Sequence, residues 1–352
     1  MRKLASIRKV SDIQPIPDAD AIEVATIDGW KVVTKKGEYK PGDLCIYCEI
    51  DSFLPIREEF EFLRKSSYKK MADGSEGFRL KTIRLRQQIS QGLLLPLSIL
   101  NLTDVEESME VTELLGITKW EPPMPASLAG VAKGLFPSFL TKTEEERAQN
   151  LQDQWFRFKN SGKKFYVTEK LDGSSATFYL KDDVFGVCSR NLELVDPGEF
   201  VPGTVICDDG IERPKKENSF WKVARQLDLE NKFRSLSRNI CLQGELIGEG
   251  IQGNPYKILG QTVRFFNGYN IDTSENLSLE DFINLTNLFG LKTVPILNTD
   301  FQLPNTIDEV LKLAEDKSEL NQDFDREGIV IRSYDRQISF KAISNKFLLN
   351  EK

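Results

Sequence analysis

The sequence predicts an α+β protein built in two parts, and three observations carry that prediction. The first hundred residues are short β-branched runs cut by turn dipeptides. The rest mixes strands and helices without regular βα alternation, which argues against a doubly wound sheet. At 352 residues the chain is longer than one core usually serves, so two domains are expected. The division is placed at residues 1–120, a small β-barrel, and 121–352, antiparallel sheets with flanking helices.

In chain order, "AIEVATIDGWKVVTKKGEYKPGDLCIYCEI" is punctuated by Asp28-Gly29, Gly37 and Pro41-Gly42-Asp43, the spacing of barrel hairpins. "FRLKTIRLRQQISQGLLLPL" sets Arg79, Lys81, Arg84 and Arg86 on a strand-like stretch ending at Gly92. "TDVEESMEVTELLGI" begins acidic and ends on glycine, as a helix does. "WEPPMPASLAG" cannot be regular, and the domain boundary is placed at Trp120 to Ala129. "TKTEEERAQNLQDQW" reads as a capped helix opening the second domain. From Phe165 strands return, broken by helical patterns at "SFWKVARQLDLENKFRSL" and "SLEDFINLTNLFG".

Composition narrows the chemistry. There is no histidine, which removes Ser-His-Asp and Cys-His hydrolases and every His-ligated metal hydrolase. Any reaction must use Lys, Arg, Asp, Glu, Ser or Tyr. Five cysteines, an odd and scattered set, suit a reducing compartment, and "CIYC" lacks the partners of a zinc site, so Cys45 and Cys48 read as buried thiols. No apolar run of about 18 residues is present, and "MRKLASIRKVSDI" lacks the apolar core of a secretory signal. No membrane association and an intracellular location are therefore expected. The net charge of −7 is uneven: residues 1–100 carry 17 basic against 14 acidic side chains, and the remainder is strongly acidic. A local basic face fits better than a basic protein.

The chemistry is carried by a series of motifs. Lys-x-Asp-Gly occurs at Lys170 to Gly173 inside "YVTEKLDGSSATFYL". It is followed by "SRN" at Ser189 to Asn191, "GELIGEGIQG" at Gly244 to Gly253 and "FFNGYNID" at Phe265 to Asp272. "EGIVIR" at Glu327 to Arg332 and "FKAISNKFL" at Phe340 to Leu348 complete it. The ordered series resembles the covalent nucleotidyltransferase superfamily of ATP-dependent ligases, NAD-dependent DNA ligases and mRNA capping enzymes. "EKLDGSSATFYL", "LRQQISQGLLLP", "KTEEERAQN" and "FKAISNKFLL" look more narrowly like the Deinococcus-type ATP-dependent RNA ligases. That family joins an N-terminal OB module to a C-terminal adenylyltransferase domain, and "IQPIPDADAIEVATIDGW" resembles the start of an OB fold.

The resemblance implies ATP and Mg²⁺ or Mn²⁺ as cofactors, RNA as partner, and a protein acting as a monomer in the RNA ligase (ATP) class. Lys170 is nominated as the nucleophile that takes AMP, Asp172 as its polar support, and Glu169 as a further nucleotide contact. Arg190 would grip phosphate, which a guanidinium can do through two hydrogen bonds in a plane. Glu245 and Glu327 would face ribose and metal, with Glu249 a competitor for Glu245 in the glycine-rich repeat. Tyr269, before Asn270, matches the adenine-stacking position, and Phe266 is the alternative. Lys341 would neutralise the α-phosphate. Many relatives carry Lys-x-Lys there, whereas this chain has Lys341-Ala-Ile343, leaving Lys346 as a candidate for the second charge. Arg147 and Gln149 are candidate triphosphate and adenine contacts, and Arg84 and Arg86 candidate RNA phosphate contacts.

The function expected is ATP-dependent sealing of a 3′-hydroxyl to a 5′-phosphate in nicked RNA, by way of lysyl-AMP and an AMP-capped 5′ end, in RNA repair. Two rivals are a capping-type guanylyltransferase using the same lysine with GTP, and a nucleic-acid-binding module retaining the motifs without the activity.

Overall fold

The structure, a computed structural model, describes residues 3–71, 74–100, 102, 104–120, 131–206, 212–214 and 217–350. In the N-terminal module, antiparallel pairing builds four small sheets. One joins Ala5–Lys9, Leu44–Cys48 and Leu93–Leu95; another joins Asp12–Pro15, Ile22–Ile27 and Trp30–Lys35. Thr82–Leu85 pairs with Gln88–Gln91, and Thr118–Lys119, Ser52–Pro55, Glu76–Arg79 and Tyr68–Lys70 form the fourth. The expected barrel is thus a set of short sheets whose ladders do not close into one ring. Asp28-Gly29 makes the expected hairpin, with Asp28 at φ 49° and Ile27 paired to Trp30.

Two corrections concern the connecting segments. Among the described residues of "TDVEESMEVTELLGI" there is no helix: residues 107–108 and 112–116 are turns. Ile7 donates its N–H to the Met109 carbonyl and Val111 donates to Ala5, while Val111, Leu115 and Ile117 enter the module's core. Pairing to the first strand and burial override the acidic start that resembles a helix cap. The helix read in "TKTEEERAQNLQDQW" begins only at Gln152 and ends at Lys159. Before it, Glu146–Arg147 is a short strand parallel to Phe340–Lys341. Residues 121–129 of the expected boundary lie outside the described residues, as does Cys207. Cys45 and Cys48 are buried free thiols, and burial pushes the Cys45 thiol up to about 12.

The C-terminal domain is built on two mainly antiparallel sheets, each covered on its outer face by helices. The larger runs Ala132–Leu135, Leu192–Leu194, Val184–Cys188, Ser174–Lys181, Ile240–Gly248, Gln261–Asn270, Glu275–Asn276. The smaller runs Glu146–Arg147, Ser339–Ile343, Gly328–Ser333, Phe165–Lys170, Ile296–Phe301. The "SFWKVARQLDLENKFRSL" pattern forms two helices, Ser219–Gln226 and Leu229–Arg234, split at Asp228, whose φ is 51°. Together with Leu279–Leu288 they bury Trp221, Phe233 and Phe282 against Phe178, Leu242 and Phe265 of the larger sheet. Each large side chain fully buried there stabilises the fold by about 2–3 kcal/mol. Trp155, Ile307 and Val310 cover Val167, Ile331 and Phe340 of the smaller sheet in the same way.

Period-two alternation then decides what the inner faces carry. With Val167, Ile329, Ile331 and Phe340 turned outward, Tyr166, Thr168, Lys170, Arg332 and Lys341 are turned inward. Opposite them stand Thr177, Gln243, Glu245 and Phe266 of the larger sheet. Contacts between the sheets follow: Arg332 lies over the Phe266 ring at 5.8 Å, and Arg336 donates to the Asn267 side-chain oxygen at 2.6 Å.

The module is docked to this domain by apolar and polar contacts. Ile343 and Leu348 join the core formed by Ala25, Ile27, Trp30 and Tyr47. Trp30 Nε1 donates to Asn150 Oδ1 at 2.7 Å, and Asn150 donates to Glu49 at 2.9 Å.

Candidate active site

Lys170 ends the Phe165–Lys170 strand in register with Gly328, and the chain turns through Leu171–Gly173 into the next strand. A Cβ on Gly173 would lie 2.4 Å from the Leu246 carbonyl oxygen and 2.8 Å from Glu245 Cγ. Only glycine lets the turn approach the Glu245 strand this closely. Gly173→Ala is accordingly expected to lower stability by about 1–3 kcal/mol, read in thermal unfolding, and to cut covalent nucleotide uptake at least tenfold. An alanine variant with wild-type melting and uptake would show that the close approach is dispensable. The backbone N–H of Asp172 donates to the hydroxyl of buried Tyr256 at 2.6 Å, which fixes the turn from the other side.

Lys170 Nζ donates to Glu327 Oε1 at 2.6 Å. Burial pulls the lysine pKa down, but Glu327, Glu245 and Asp172 outweigh it and leave it raised. In this state the amine is an ammonium and not a nucleophile. Glu245 stands in the middle of the Ile240–Gly248 strand, opposite Ser175 on one side and Arg264 on the other. Burial pushes its carboxyl up to about 8; Lys170 opposes the shift, and Glu327 and Asp172 add to it. Glu249, by contrast, is exposed in the turn after Gly248.

Three carboxylates thus crowd one lysine. Oxygen ligands with excess negative charge are what a hard divalent cation requires, and a cation there would relieve the repulsion that raises Glu245. Glu245 and Glu327 are the carboxylates such a cation would draw on, although no group of three or more His, Cys, Asp or Glu side chains among the described residues is arranged to hold a metal ion.

Around this centre the inner faces bring further charge. Lys341 pairs in register with Val330 and Arg147, and its charge helps hold Glu145 down at about 2. Burial opposes that shift, and the larger share of the lowering comes from Arg332, which ion-pairs with Glu145. Arg190 is exposed and donates to Glu144 at 3.0 Å; Lys119 of the N-terminal module donates to the same carboxylate at 3.0 Å. Against the burial of Glu144, the two cations hold its carboxyl at about 2. Arg190 also favours the ionised form of Glu245.

Glu169 points away from Lys170, to the other face of the strand. Its Oε2 accepts the Glu319 N–H at 2.9 Å, whereas Oε1 is buried without a partner. Burial chiefly raises its pKa.

Position bears on the remaining expectations. Tyr269 pairs with Cys241, four residues along the strand from Glu245 and so about 13 Å away, and is buried with Leu140, Tyr179 and Ile271. Phe266 takes the inward place instead: a register shift at Gln243/Gly244 turns it toward Arg332, beside Leu171 and Ile247. Arg147 is buried in the domain junction, donating to Asp51 at 2.8 Å and lying over Trp30. Gln149 is buried against Gly29. Arg147 Nε and Nη1 and Gln149 Nε2 are buried without a hydrogen-bond partner. Lys346 is exposed on the Asn345–Asn350 helix, in a cleft shared with the N-terminal module. Arg84 and Arg86 lie on the exposed hairpin, with Arg86 and Gln87 at its turn.

Lys119, Glu144, Tyr256 and Arg332 escaped the sequence reading. No local pattern marks Lys119, which shares the Glu144 carboxylate with Arg190 only through the docking of two domains. Glu144 and Glu145 were visible, but as the acidic start of a helix that the chain does not form.

An RNA ligase family model matches residues 163–344, and an OB-fold domain model matches residues 4–97. No match is found among curated proteins. Among solved structures, the chain is similar to Naegleria gruberi RNA ligase with AMP and Mn, at 43% identity over 99% of this chain and 98% of that one, with a TM-score of 0.87. A Naegleria gruberi RNA ligase variant with ATP and Mn matches at 42% identity, 98% of each chain and a TM-score of 0.84. The same ligase with PPi matches at 42% identity over 99% and 98% of the chains, with a TM-score of 0.84.

Proposed function

Because the chain belongs to the RNA ligase family, we propose that it is an ATP-dependent RNA ligase whose covalent intermediate forms on Lys170. The observation that carries this reading is the single lysine set 2.6 Å from Glu327 at a glycine-bounded turn, with Glu245 and Asp172 beside it. The solved relatives hold AMP or ATP with Mn, and the crowded carboxylates here suit Mg²⁺ or Mn²⁺. When bound, such a cation supplies charge neutralisation on phosphate oxygens.

Three transfers follow. The Lys170 amine, once deprotonated, attacks the α-phosphorus of ATP; the N–P bond forms and pyrophosphate leaves. A 5′-phosphate oxygen then takes the AMP from the lysine, and a 3′-hydroxyl oxygen attacks that 5′-phosphorus, expelling AMP and closing the phosphodiester. Such transfers need positioning and charge neutralisation more than acid–base chemistry, so the absence of histidine is no obstacle. Lys341 and Arg332 supply positive charge on the inner face, and Glu327 holds Lys170 in place before attack. Phe266, not Tyr269, is the aromatic available to adenine.

The finer assignments are to the Deinococcus-type branch, for its OB-first order, to nicked RNA with a 3′-hydroxyl as substrate, and to a monomer inside the cell. No helix among the described residues is long and apolar enough to cross a membrane. Incubation with labelled ATP and labelled GTP tests the nucleotide: a covalent adduct is expected from ATP alone. An adduct from GTP alone would restore the capping-type reading, and no adduct from either, with RNA binding intact, the non-catalytic one.

A further inference from the structure

A cleft of about 520 Å³ separates the N-terminal module from the C-terminal helix, and three cations face it: Lys81 and Arg84 from the module, Lys346 from the helix. Among the described residues none of the three makes a hydrogen bond or an ion pair. Elsewhere exposed lysines and arginines are commonly matched, as Lys317 is by Asp325 at 2.7 Å and Arg64 by Glu61 at 2.6 Å. Asp325 is the one carboxylate on the cleft wall; it is hydrogen-bonded to Lys317, and the Lys346 charge acts on it more weakly. The cleft wall therefore carries three cations against one carboxylate, which also serves Lys317, in a protein whose net charge is −7.

Its place in the fold matters as much as its charge. Asp325 ends the Asn321–Asp325 strand two residues before Glu327. Lys346 follows the Ser339–Ile343 strand, whose last residue pairs with Gly328 and hence stands in line with Lys170. The cleft is thus lined by residues within a few positions of the segments that carry Glu327 and Lys341. The cations stand on two domains held by the shared core of Ile343 and Leu348, so their spacing is fixed before any ligand arrives.

We infer that this cleft binds the phosphodiester backbone of RNA next to the end being joined, with Lys81, Arg84 and Lys346 as its phosphate contacts. The inference rests on the ligase reading and extends it. Lys346, which the sequence offers as a second triphosphate lysine, then serves RNA and not ATP. Phosphate is the ligand chemistry favoured by compact, unpaired ammonium and guanidinium groups, and contacts of this kind confer affinity without reading sequence.

The test uses the full chain without ATP, so that no joining occurs, and measures binding of labelled nicked duplex RNA across a salt series. Lys81→Ala and Lys346→Ala are each expected to weaken binding about five- to tenfold at physiological salt, with the slope of log affinity against log salt reduced by about one. Lys346→Arg is expected to restore both. The lysyl-AMP adduct formed from ATP in the absence of RNA is expected to stay within twofold of wild type for all three. Unchanged affinity and salt slope in the alanine variants would overturn the inference. So would loss of the adduct in Lys346→Ala, which would return that lysine to the triphosphate. A wild-type protein that forms no adduct would count against the ligase reading alone, because the binding series decides the cleft independently.

Discussion

Lys170→Ala is expected to abolish covalent labelling by ATP, a loss of more than a thousandfold, while the protein still closes a nick whose 5′ end already carries AMP. Only the first transfer uses the lysine amine as nucleophile. The last needs the 3′-hydroxyl, the AMP leaving group and the neutralising charge around them, all of which survive the substitution. The two substrates therefore separate a nucleophile from a structural lysine. If the position were only structural, both reactions would fall together, since Lys170 ties the Gly328 strand to Glu327. The same change leaves Glu327, Glu245 and Asp172 without their shared cation, so Mg²⁺ or Mn²⁺ is expected to raise the melting temperature of the variant more than that of wild type. Undiminished labelling of Lys170→Ala would place the nucleophile elsewhere. Failure on the pre-adenylylated nick would make the lysine a support of all three steps.

How far the chain could be read in advance depended on whether a residue's role is set locally. Lys170 and Gly173 were legible because the nucleophile and the bend that presents it fall within four residues of each other. Glu245 was legible only together with Glu249. What separates them is strand geometry: Glu245 sits mid-strand and faces Lys170, while Gly248, at φ 120°, ends the strand and leaves Glu249 in the turn. Tyr269 went astray for a related reason. It lies about 13 Å along the strand from Glu245, while one bulged residue opposite Gln243/Gly244 brings Phe266 inward nearer the site, and a register shift of that kind has no signature in composition or spacing. The surroundings of Arg147 and Gln149 were not legible, because the segment read as one helix is a two-residue strand, Glu146–Arg147, followed by a 3-10 turn, Ala148–Leu151, packed against the N-terminal module. Arg147 bonds to Asp51, 96 residues upstream, and Gln149 packs against Gly29, still farther upstream. Local pattern can report neither contact. The small barrel strands and the helices at Ser219–Gln226 and Leu279–Leu288, which obey their own periodicity, were readable throughout.

Glu245→Gln is expected to make the metal-free protein more stable at pH 8 while removing most of its activity, and the two effects have one cause. The Glu245 carboxyl is raised from the ordinary value of 4.5 to about 8, first by burial and then by Glu327 and Asp172. A folded value above the unfolded one means the folded state binds the proton more tightly. The favourable contribution is therefore complete below about pH 4.5 and is lost as pH rises toward 8, where the wild-type site must hold a buried anion. Lys170 is raised too, but from 10.5, so its contribution stays constant through this window. Glutamine keeps the shape and cannot ionise. Its advantage should be absent near pH 4.5, grow across the interval and reach about 1–3 kcal/mol at pH 8, read as the difference in melting curves of the metal-free proteins. Saturating Mn²⁺ should shrink the gap, because a cation stabilises the glutamate and gains little from an amide. Adduct formation should fall at least a hundredfold, as expected for the loss of a charged contact to nucleotide or metal. Parallel melting curves from pH 4.5 to 8 would show that Glu245 ionises without cost, and the crowding of carboxylates around Lys170 would then not be what prepares the site for its cation.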